Sequence, residues 1–138
     1  AQTLVGTPYT VHLIDEREEW IDHKDLPNSV VRHRDGWKNF VENAEWNSQR
    51  THVAVMTHDH DLDFSLIANI VQRPAKYIGL IGSQTKWKKF EQRLISDNVN
   101  ADAIARVNCP IGLPIGGKAP REVAVSVAAE LLQLHNQS

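Results

Sequence analysis

An alternation of short apolar runs and helical stripes is the feature that most constrains how this chain can fold. The runs HVAVMT (52–57) and KYIGLIG (76–82) are almost continuously apolar. Such runs are typical of parallel strands, which a sheet buries on both faces. The segments after both runs carry apolar residues every three or four positions, as expected for one face of a helix. The pattern therefore predicts an α/β fold.

Two further strands and three helices fit the same pattern. YTVHLID (9–15) is predicted to be a strand that ends in an acid, and SVVRHR (29–34) a shorter strand. The first helix is ended by Pro74, the second begins with Ser83 as its N-cap, and the last opens near Pro120. Their predicted buried faces are Leu62, Leu66, Ile67, Ile70 and Val71; Trp87, Phe90 and Leu94; and Val123, Ala124, Val127, Ala128, Leu131 and Leu132.

Length and composition agree with one small domain. We predict that residues 1–138 form a single open, doubly wound, mostly parallel sheet of Rossmann type with helices on both faces. With a net charge of -2, the chain has no excess of positive charge that would indicate binding to nucleic acid or an anionic membrane. The single cysteine excludes an internal disulfide and metal sites made of paired cysteines. No apolar run approaches the ~20 residues that cross a bilayer, and we expect a cytoplasmic protein.

The start of the chain is unusual. AQTLVG has no initiator methionine and is typical of the last turns of a helix that closes on Gly6, with Pro8 just beyond. We expect the domain to be N-terminally incomplete in this sequence.

Ligands of doubly wound sheets bind at the carboxyl ends of the strands, and Asp15 closes the first strand here. In dinucleotide-binding folds an acid at the end of the second strand accepts hydrogen bonds from ribose hydroxyls, about 20 residues after the glycine fingerprint. That interpretation places the fingerprint before residue 1. The alternative is a solvated acid that caps the turn after the strand.

Two glycine-containing loops are candidate anion sites. GLIGSQTK (79–86) opens a helix with Ser83 and Lys86 in its first turn, a pattern that suits phosphate, although from these residues alone ordinary strand-to-helix capping is the favoured explanation. GLPIGGKA (112–119) has the spacing of a phosphate-binding P-loop, but Ala119 replaces the magnesium-binding hydroxyl and Pro114 removes an amide donor. These departures disfavour an ATPase.

Cys109 stands outside any apolar stripe, between Asn108 and Pro110. It is either a functional thiol, which requires exposure and a lowered pKa, or one of the many inert lone cysteines.

THDHDLD (57–63) imitates the start of the metallo-β-lactamase motif T-H-x-H-x-D-H. Leu62 and Asp63 stand where the remaining ligands belong, so a two-metal hydrolase is disfavoured. His58 and His60 with Asp61 or Asp63 would still suffice for one metal ion. The stronger interpretation makes Asp59 or Asp61 a helix cap, with the two histidines facing the crevice at the strand ends.

Three segments together carry a family resemblance: THDHDLD, YIGLIGSQTKWKKFEQRL and CPIGLPIGGKAPREVAVSVAAELL. In this order and spacing they resemble the C-terminal Rossmann domain of the xanthine dehydrogenase accessory proteins of XdhC/CoxI type. VHLIDEREEW resembles the second strand of that family and the turn after it. The resemblance covers nearly the whole chain and is weakest across 24–50.

The resemblance implies an accessory protein that matures molybdenum hydroxylases. Such proteins bind the molybdenum cofactor, assist its sulfuration with a cysteine desulfurase, and pass it to the apo-dehydrogenase. We see no coherent set of acid, base and nucleophile, so a binding protein is favoured over an enzyme. An NAD(P)-dependent oxidoreductase or sensor that uses Asp15 is the alternative.

The resemblance also assigns residues to the cofactor site. His58, Asp59 and His60 would form the crevice wall, and Gly82, Ser83 and Lys86 would hold the phosphate. A second lip would consist of Cys109, Gly112, Gly116, Gly117 and Lys118, with Cys109 as a candidate molybdenum contact.

The resemblance also implies a strand and a G-A-G-H-type glycine turn ahead of residue 1. That strand lies in the middle of the family's sheet, between the strands placed at 9–15 and 52–57. Without it the sheet is split and its edges are exposed. We expect either that another polypeptide, such as a second copy in a homo-oligomer, supplies it, or that the upstream residues belong to the same chain.

Overall fold

The computed structural model describes residues 9–15, 21–22, 24, 26, 28–33, 36–116 and 119–137, and the structural statements below concern these residues. The elements are β1 (His12–Ile14), β2 (Val31–His33), α1 (Trp37–Asn43), β3 (His52–Val55), α2 (His60–Ile70), β4 (Tyr77–Leu80), α3 (Gln84–Ser96), α4 (Ala101–Ile104), β5 (Val107–Asn108) and α5 (Pro120–Asn136). From β2 onwards at least one helix separates each strand from the next, and every described strand pair is parallel. The predicted α/β class is thereby confirmed.

The described strands belong to two separate sheets. One contains β1 and β2, and the other has the order β3-β4-β5. Within the described ranges no ladder joins β1 to β3, which is where the sequence predicts the sheet to be split. The origin of a strand between them stays a prediction.

The core of the larger sheet has two sides because successive residues of β4 point to opposite faces. Ile78 and Leu80 belong to the main cluster, where they pack with fully buried residues such as Ile67 of α2 and Leu94 of α3. Tyr77 belongs to a second cluster, whose other buried members are Ile111, Val127 and Leu131. Helices therefore cover both faces of this sheet, as predicted.

Gly79 makes room for the second cluster, which packs on the Tyr77 face of the larger sheet. A Cβ at this position would lie 2.6 Å from the side chain of Ile111 and 2.7 Å from the Tyr77 hydroxyl. The bare backbone of β4 lets the loop after β5 lie directly on the sheet, where the Ile111 N–H donates to the Leu80 carbonyl at 3.0 Å. This contact fixes the beginning of the loop that leads to α5.

The helices found in the described part of the chain are all too short or too polar to cross a membrane.

Candidate functional site

The turn between β3 and α2 is built around Asp59. Its side chain accepts hydrogen bonds from the N–H groups of Asp61 at 2.8 Å and Leu62 at 3.4 Å. The Thr57 hydroxyl donates to the Asp59 carbonyl at 2.9 Å and holds the turn closed. Asp59 is therefore the N-cap of α2, which confirms the helix-cap interpretation and selects Asp59 over Asp61. The neighbouring His58 and His60 are both exposed.

A one-metal site at this turn does not form within the described structure. No group of three or more His, Cys, Asp or Glu side chains suited to a metal ion comes together among the described residues. Asp63, one of the two acids considered as a third ligand, is fully buried and uses both carboxylate oxygens elsewhere.

A buried ion pair between Asp63 and Lys86 lies at the carboxyl ends of β3 and β4. The Lys86 Nζ is 2.7 Å from Asp63 Oδ2 and donates a second hydrogen bond to the Ile81 carbonyl at 2.8 Å. Asp63 Oδ1 accepts the Thr57 N–H at 3.0 Å. A buried charge is tolerated when it is paired and hydrogen-bonded, and here both charges are. The pair joins the start of α2, the start of α3 and the ends of two strands.

Gly82 and Ser83 shape the start of α3 around this pair. Gly82 has φ +140°, and a Cβ there would lie 2.5 Å from Cδ of Lys86. The Ser83 hydroxyl accepts the Lys86 N–H at 3.2 Å, so Ser83 is the N-cap, as predicted. The side chain of Lys86 thus folds back beneath the glycine towards Asp63. Its role as a phosphate ligand stays a prediction, and its charge is matched by a carboxylate.

Cys109 follows β5 and reaches the same edge of the sheet. Its Sγ lies 3.6 Å from the Gly82 carbonyl and 3.8 Å from the Ser83 carbonyl, as a weak thiol donor. Burial raises the pKa of the Cys109 thiol; the Lys86 charge opposes that shift and the Asp63 charge adds to it. The net direction is upward, so this thiol lacks the lowered pKa of a reactive cysteine.

The loop after Cys109 is bound to α5 through Glu130. A carboxylate oxygen of Glu130 accepts the Gly112 N–H at 3.2 Å and also a hydrogen bond from the Tyr77 hydroxyl. Gly112 has φ +95°, and a Cβ there would lie 2.4 Å from the Ser126 hydroxyl oxygen. The glycine is required by this close approach to α5.

The remaining predicted residues either belong to other described elements or lie outside the described residues. Gly116 is exposed and has φ +91°, and a Cβ at its position would meet nothing within 4 Å. Gly117 and Lys118 lie outside the described residues. Asp15 directly follows β1 in the other sheet and is half-buried. Of the predicted set, the structure brings together Gly82, Ser83, Lys86 and Cys109.

Comparison with known proteins identifies the family. The profile of the XdhC Rossmann domain matches residues 1–131. The chain belongs to this family. The resemblance read from the sequence motifs is thereby confirmed.

Two curated relatives are much longer proteins. The uncharacterized protein YqeB of Escherichia coli (strain K12) is 29% identical over 112 residues, which are 81% of this chain and 20% of that protein. A probable xanthine dehydrogenase subunit of Bacillus subtilis (strain 168) is 37% identical over 79 residues, 57% of this chain and 22% of that protein. The chain thus spans about a fifth of either relative.

A solved structure has the same fold. The crystal structure of a xanthine dehydrogenase from Bacillus halodurans superposes with a TM-score of 0.74 at 21% identity, over 94% of this chain and 36% of that one. At this identity the likeness concerns the fold, and the predicted Rossmann class is confirmed by it.

Sequence reasoning did not find the central role of Asp63. The signal was present, because Asp63 stands four positions before Ile67 and seven before Ile70 on the buried side of α2. An acid on an apolar helical face indicates a buried charge that needs a partner. The pattern does not reveal which of the lysines supplies that partner.

Proposed function

We propose that this domain serves in the maturation of xanthine dehydrogenase-type molybdenum hydroxylases, where it binds the molybdenum cofactor and assists its sulfuration and insertion. The observation that carries the proposal is the match to the XdhC family over residues 1–131. The name of the Bacillus subtilis relative, a probable xanthine dehydrogenase subunit, supports it. The proposed partners are an apo-dehydrogenase and a cysteine desulfurase. The chemistry of the bound cofactor would be used by the dehydrogenase rather than by this domain.

The start of α3 suits the phosphate end of such a cofactor. The first turn of a helix presents N–H groups and the positive end of the helix dipole to an anion. α3 spans Gln84–Ser96, and the positive φ of Gly82 lets the chain turn sharply into it. Because Asp63 balances the charge of Lys86, we assign the attraction for phosphate to the backbone amides after Gly82 and give Lys86 a supporting role.

Cys109 lies beside this proposed phosphate site. Its thiol contacts the carbonyls of Gly82 and Ser83, so a cofactor bound at the start of α3 would have a sulfur ligand within reach. His58 and His60 are exposed near the end of β3 and would form the opposite wall. These side chains would hold and orient the cofactor.

A pair of charge substitutions on one helix tests the proposal. Gln84→Glu places a negative charge in the first turn of α3, and Gln92→Glu places the same charge on an exposed position two turns later. The full-length protein is titrated anaerobically with molybdenum cofactor released from a molybdoenzyme, and binding is followed by fluorescence. We expect Gln84→Glu to weaken binding about tenfold, which is about 1.4 kcal/mol, and Gln92→Glu to bind like the wild type.

Two outcomes would contradict this assignment. If the wild type does not bind the cofactor, the proposed function fails. If both variants bind as the wild type does, the cofactor lies elsewhere than the start of α3.

A second candidate function is dinucleotide binding, favoured by the position of Asp15. This acid directly follows β1 at the carboxyl edge of a parallel pair, where folds of this class hold a ribose. Titration with NAD(H) distinguishes the two functions, because Asp15→Asn should abolish dinucleotide binding and leave molybdenum-cofactor binding in place. Asp97→Asn, at the exposed end of α3, is the matched control. Absence of NAD(H) binding by the wild type would remove this candidate.

A further inference from the structure

A cleft between α1 and the end of α2 has the size of a small-molecule site. Its volume is about 310 Å³, which lies at the lower end of the range for ligand pockets. Since α2 begins at the carboxyl end of β3 and Arg73 precedes β4, Arg73 lies at the amino edge of the larger sheet. The cleft is therefore remote from the Asp63–Lys86 pair. The residues that line it are Trp37, Lys38, Val41, Glu42, Asn69 and Arg73.

Arg73 brings a donor that lacks an acceptor to this cleft. Its Nε is buried and has no hydrogen-bond partner within the described structure, whereas buried polar groups are normally paired. The guanidinium carbon lies 5.7 Å from the centre of the Trp46 ring, and the Trp46 Nε1 donates to the Val41 carbonyl at 2.9 Å. The guanidinium is thus held in place before any ligand binds. Its planar fork of N–H groups matches the two oxygens of a carboxylate.

Two opposite charges stand at the rim of the cleft without neutralising each other. Lys38 and Glu42 are exposed and one turn apart on α1. Among the described residues, no ion pair joins them to each other or to Arg73. The Lys38 Nζ instead lies 5.6 Å from the centre of the Trp37 ring. The cleft therefore offers two cations and one carboxylate to a ligand.

A ligand that matches these three charges carries two carboxylates and one ammonium group. We propose that the cleft binds a small acidic amino acid of the aspartate or glutamate type. One carboxylate pairs with Arg73, the other with Lys38, and the ammonium group with Glu42. The methylene groups lie against Trp37 and Val41. A dicarboxylate without an amine, or a phosphate, has no positive group for Glu42 and meets its charge unpaired.

The three charged residues should contribute unequally. Arg73 is half-buried, whereas Lys38 and Glu42 are exposed, where water and salt screen their charges. Arg73→Lys keeps the positive charge and removes Nε and the planar fork, so it should weaken binding about tenfold. Lys38→Gln removes a screened charge and should weaken binding about threefold.

Isothermal titration calorimetry of the full chain at pH 7 tests the proposal with four probes: L-glutamate, L-aspartate, glutarate and inorganic phosphate. We expect one site for either amino acid. Glutarate is glutamate without its ammonium group, and it should bind the wild type about tenfold more weakly than glutamate does. In Glu42→Gln, glutamate and glutarate should bind alike, because the group that recognises the ammonium is gone. This ratio is measured within one variant, so a partly unfolded sample does not change it.

Arg121→Lys is the matched control for Arg73→Lys, because Arg121 is exposed on α5 and outside the cleft. It should bind glutamate as the wild type does, and circular dichroism verifies the fold of each variant. The proposal is overturned if the wild type binds neither amino acid, or if glutarate or phosphate binds it as tightly as glutamate. An unchanged preference for glutamate in Glu42→Gln would overturn it as well. None of these outcomes depends on molybdenum-cofactor binding at the carboxyl ends of the strands.

Discussion

Lys86 and Asp63 form a buried ion pair in which the Lys86 Nζ lies 2.7 Å from a carboxylate oxygen of a side chain with no exposed surface. The pair lies where β3, β4 and their following helices meet, next to Cys109. Its position gives it a structural role in setting the distance between the starts of α2 and α3. Any ligand at this edge would therefore bind on a surface whose shape depends on the pair.

Breaking the pair should be costly. Asp63→Ala leaves the ammonium group of Lys86 buried without its carboxylate and the Thr57 N–H without its acceptor. Loss of one partner of a buried pair costs about 3–5 kcal/mol, which urea unfolding would measure as a reduced free energy of unfolding. Asp63→Leu/Lys86→Met removes both charges, and we expect this double variant to be more stable than Asp63→Ala. Equal stability of Asp63→Ala and wild type would contradict the burial of the pair.

Gly112 and Gly116 provide a matched pair for the second prediction. Both have positive φ, +95° and +91°, so alanine strains the backbone at either position to a similar degree. Only at Gly112 would the new Cβ collide with α5, 2.4 Å from the Ser126 hydroxyl oxygen and 3.2 Å from a backbone carbon. Overpacking of this kind costs about 1–3 kcal/mol. Thermal or urea unfolding should therefore show Gly112→Ala to be the less stable variant; equal losses would exclude the collision.

The sequence correctly predicts the elements whose hydrophobic pattern extends over enough residues to show a period. α2, α3 and α5 each carry a stripe that the core buries, and β4 is buried at all four residues, as its apolar run indicates. α1, α4 and β5 were not predicted, since four residues in α4 and two in β5 are too few to show a period. The predicted strands also run beyond the observed ones, because apolar residues continue into the turns.

The site is harder to predict because it depends on contacts between distant residues. The motifs placed Gly82, Ser83 and Cys109 at one edge of the sheet, since the carboxyl ends of parallel strands lie side by side. Nothing in the local sequence pairs Lys86 with Asp63, 23 positions earlier. Lys86 was consequently predicted as an anion ligand without the acid that balances its charge.

His52 makes the stability of the fold depend on pH. Burial lowers the pKa of His52 below its ordinary value of about 6.5, the carbonyl of Arg50 opposes the shift, and the charges of Lys76 and His135 add to it. The unfolded chain thus takes up this proton at a higher pH than the folded one. Stability is greatest above the unfolded pKa and falls as the pH drops from about 6.5 towards the lowered pKa.

Urea unfolding between pH 7.5 and 5 measures this dependence. We expect His52→Gln to be less sensitive to pH than the wild type over that interval. His58→Gln, which removes an exposed histidine, should keep the wild-type dependence. An identical dependence in His52→Gln and wild type would show that other groups are responsible.

Tyr77 should resist ionisation as long as the fold persists. Burial and the neighbouring Glu130 carboxylate raise the pKa of Tyr77 far above its ordinary value, and burial also raises that of Tyr9. The sequence contains two tyrosines, so tyrosinate absorbance reports on these two residues alone. An alkaline titration of the folded protein should rise above pH 10, and Tyr77→Phe should remove the part that appears at the highest pH. Ionisation of both tyrosines near pH 10 in folded protein would refute the prediction.

Cys109 provides the most direct report on the charges beside it, because it is the single cysteine of the sequence. Burial raises the pKa of its thiol, Lys86 lowers it and Asp63 raises it further. Since the thiolate is the reactive form, the wild type should react with an aromatic disulfide reagent more slowly than a small free thiol at pH 8. Lys86→Met removes the favourable charge and should slow the reaction, whereas Asp63→Asn removes the unfavourable one and should accelerate it.

If the neighbouring charges control the reactivity of the Cys109 thiol, Lys86→Met and Asp63→Asn must change its reaction rate in opposite directions. Local unfolding would accelerate the reaction in both variants, because it exposes the same sulfur whichever partner of the pair is removed. Repeating the measurement in 1 M urea identifies such opening, since its rate rises with denaturant. Acceleration in Lys86→Met without denaturant would show that the pair protects Cys109 by closing the fold around it and that its electrostatic effect is secondary.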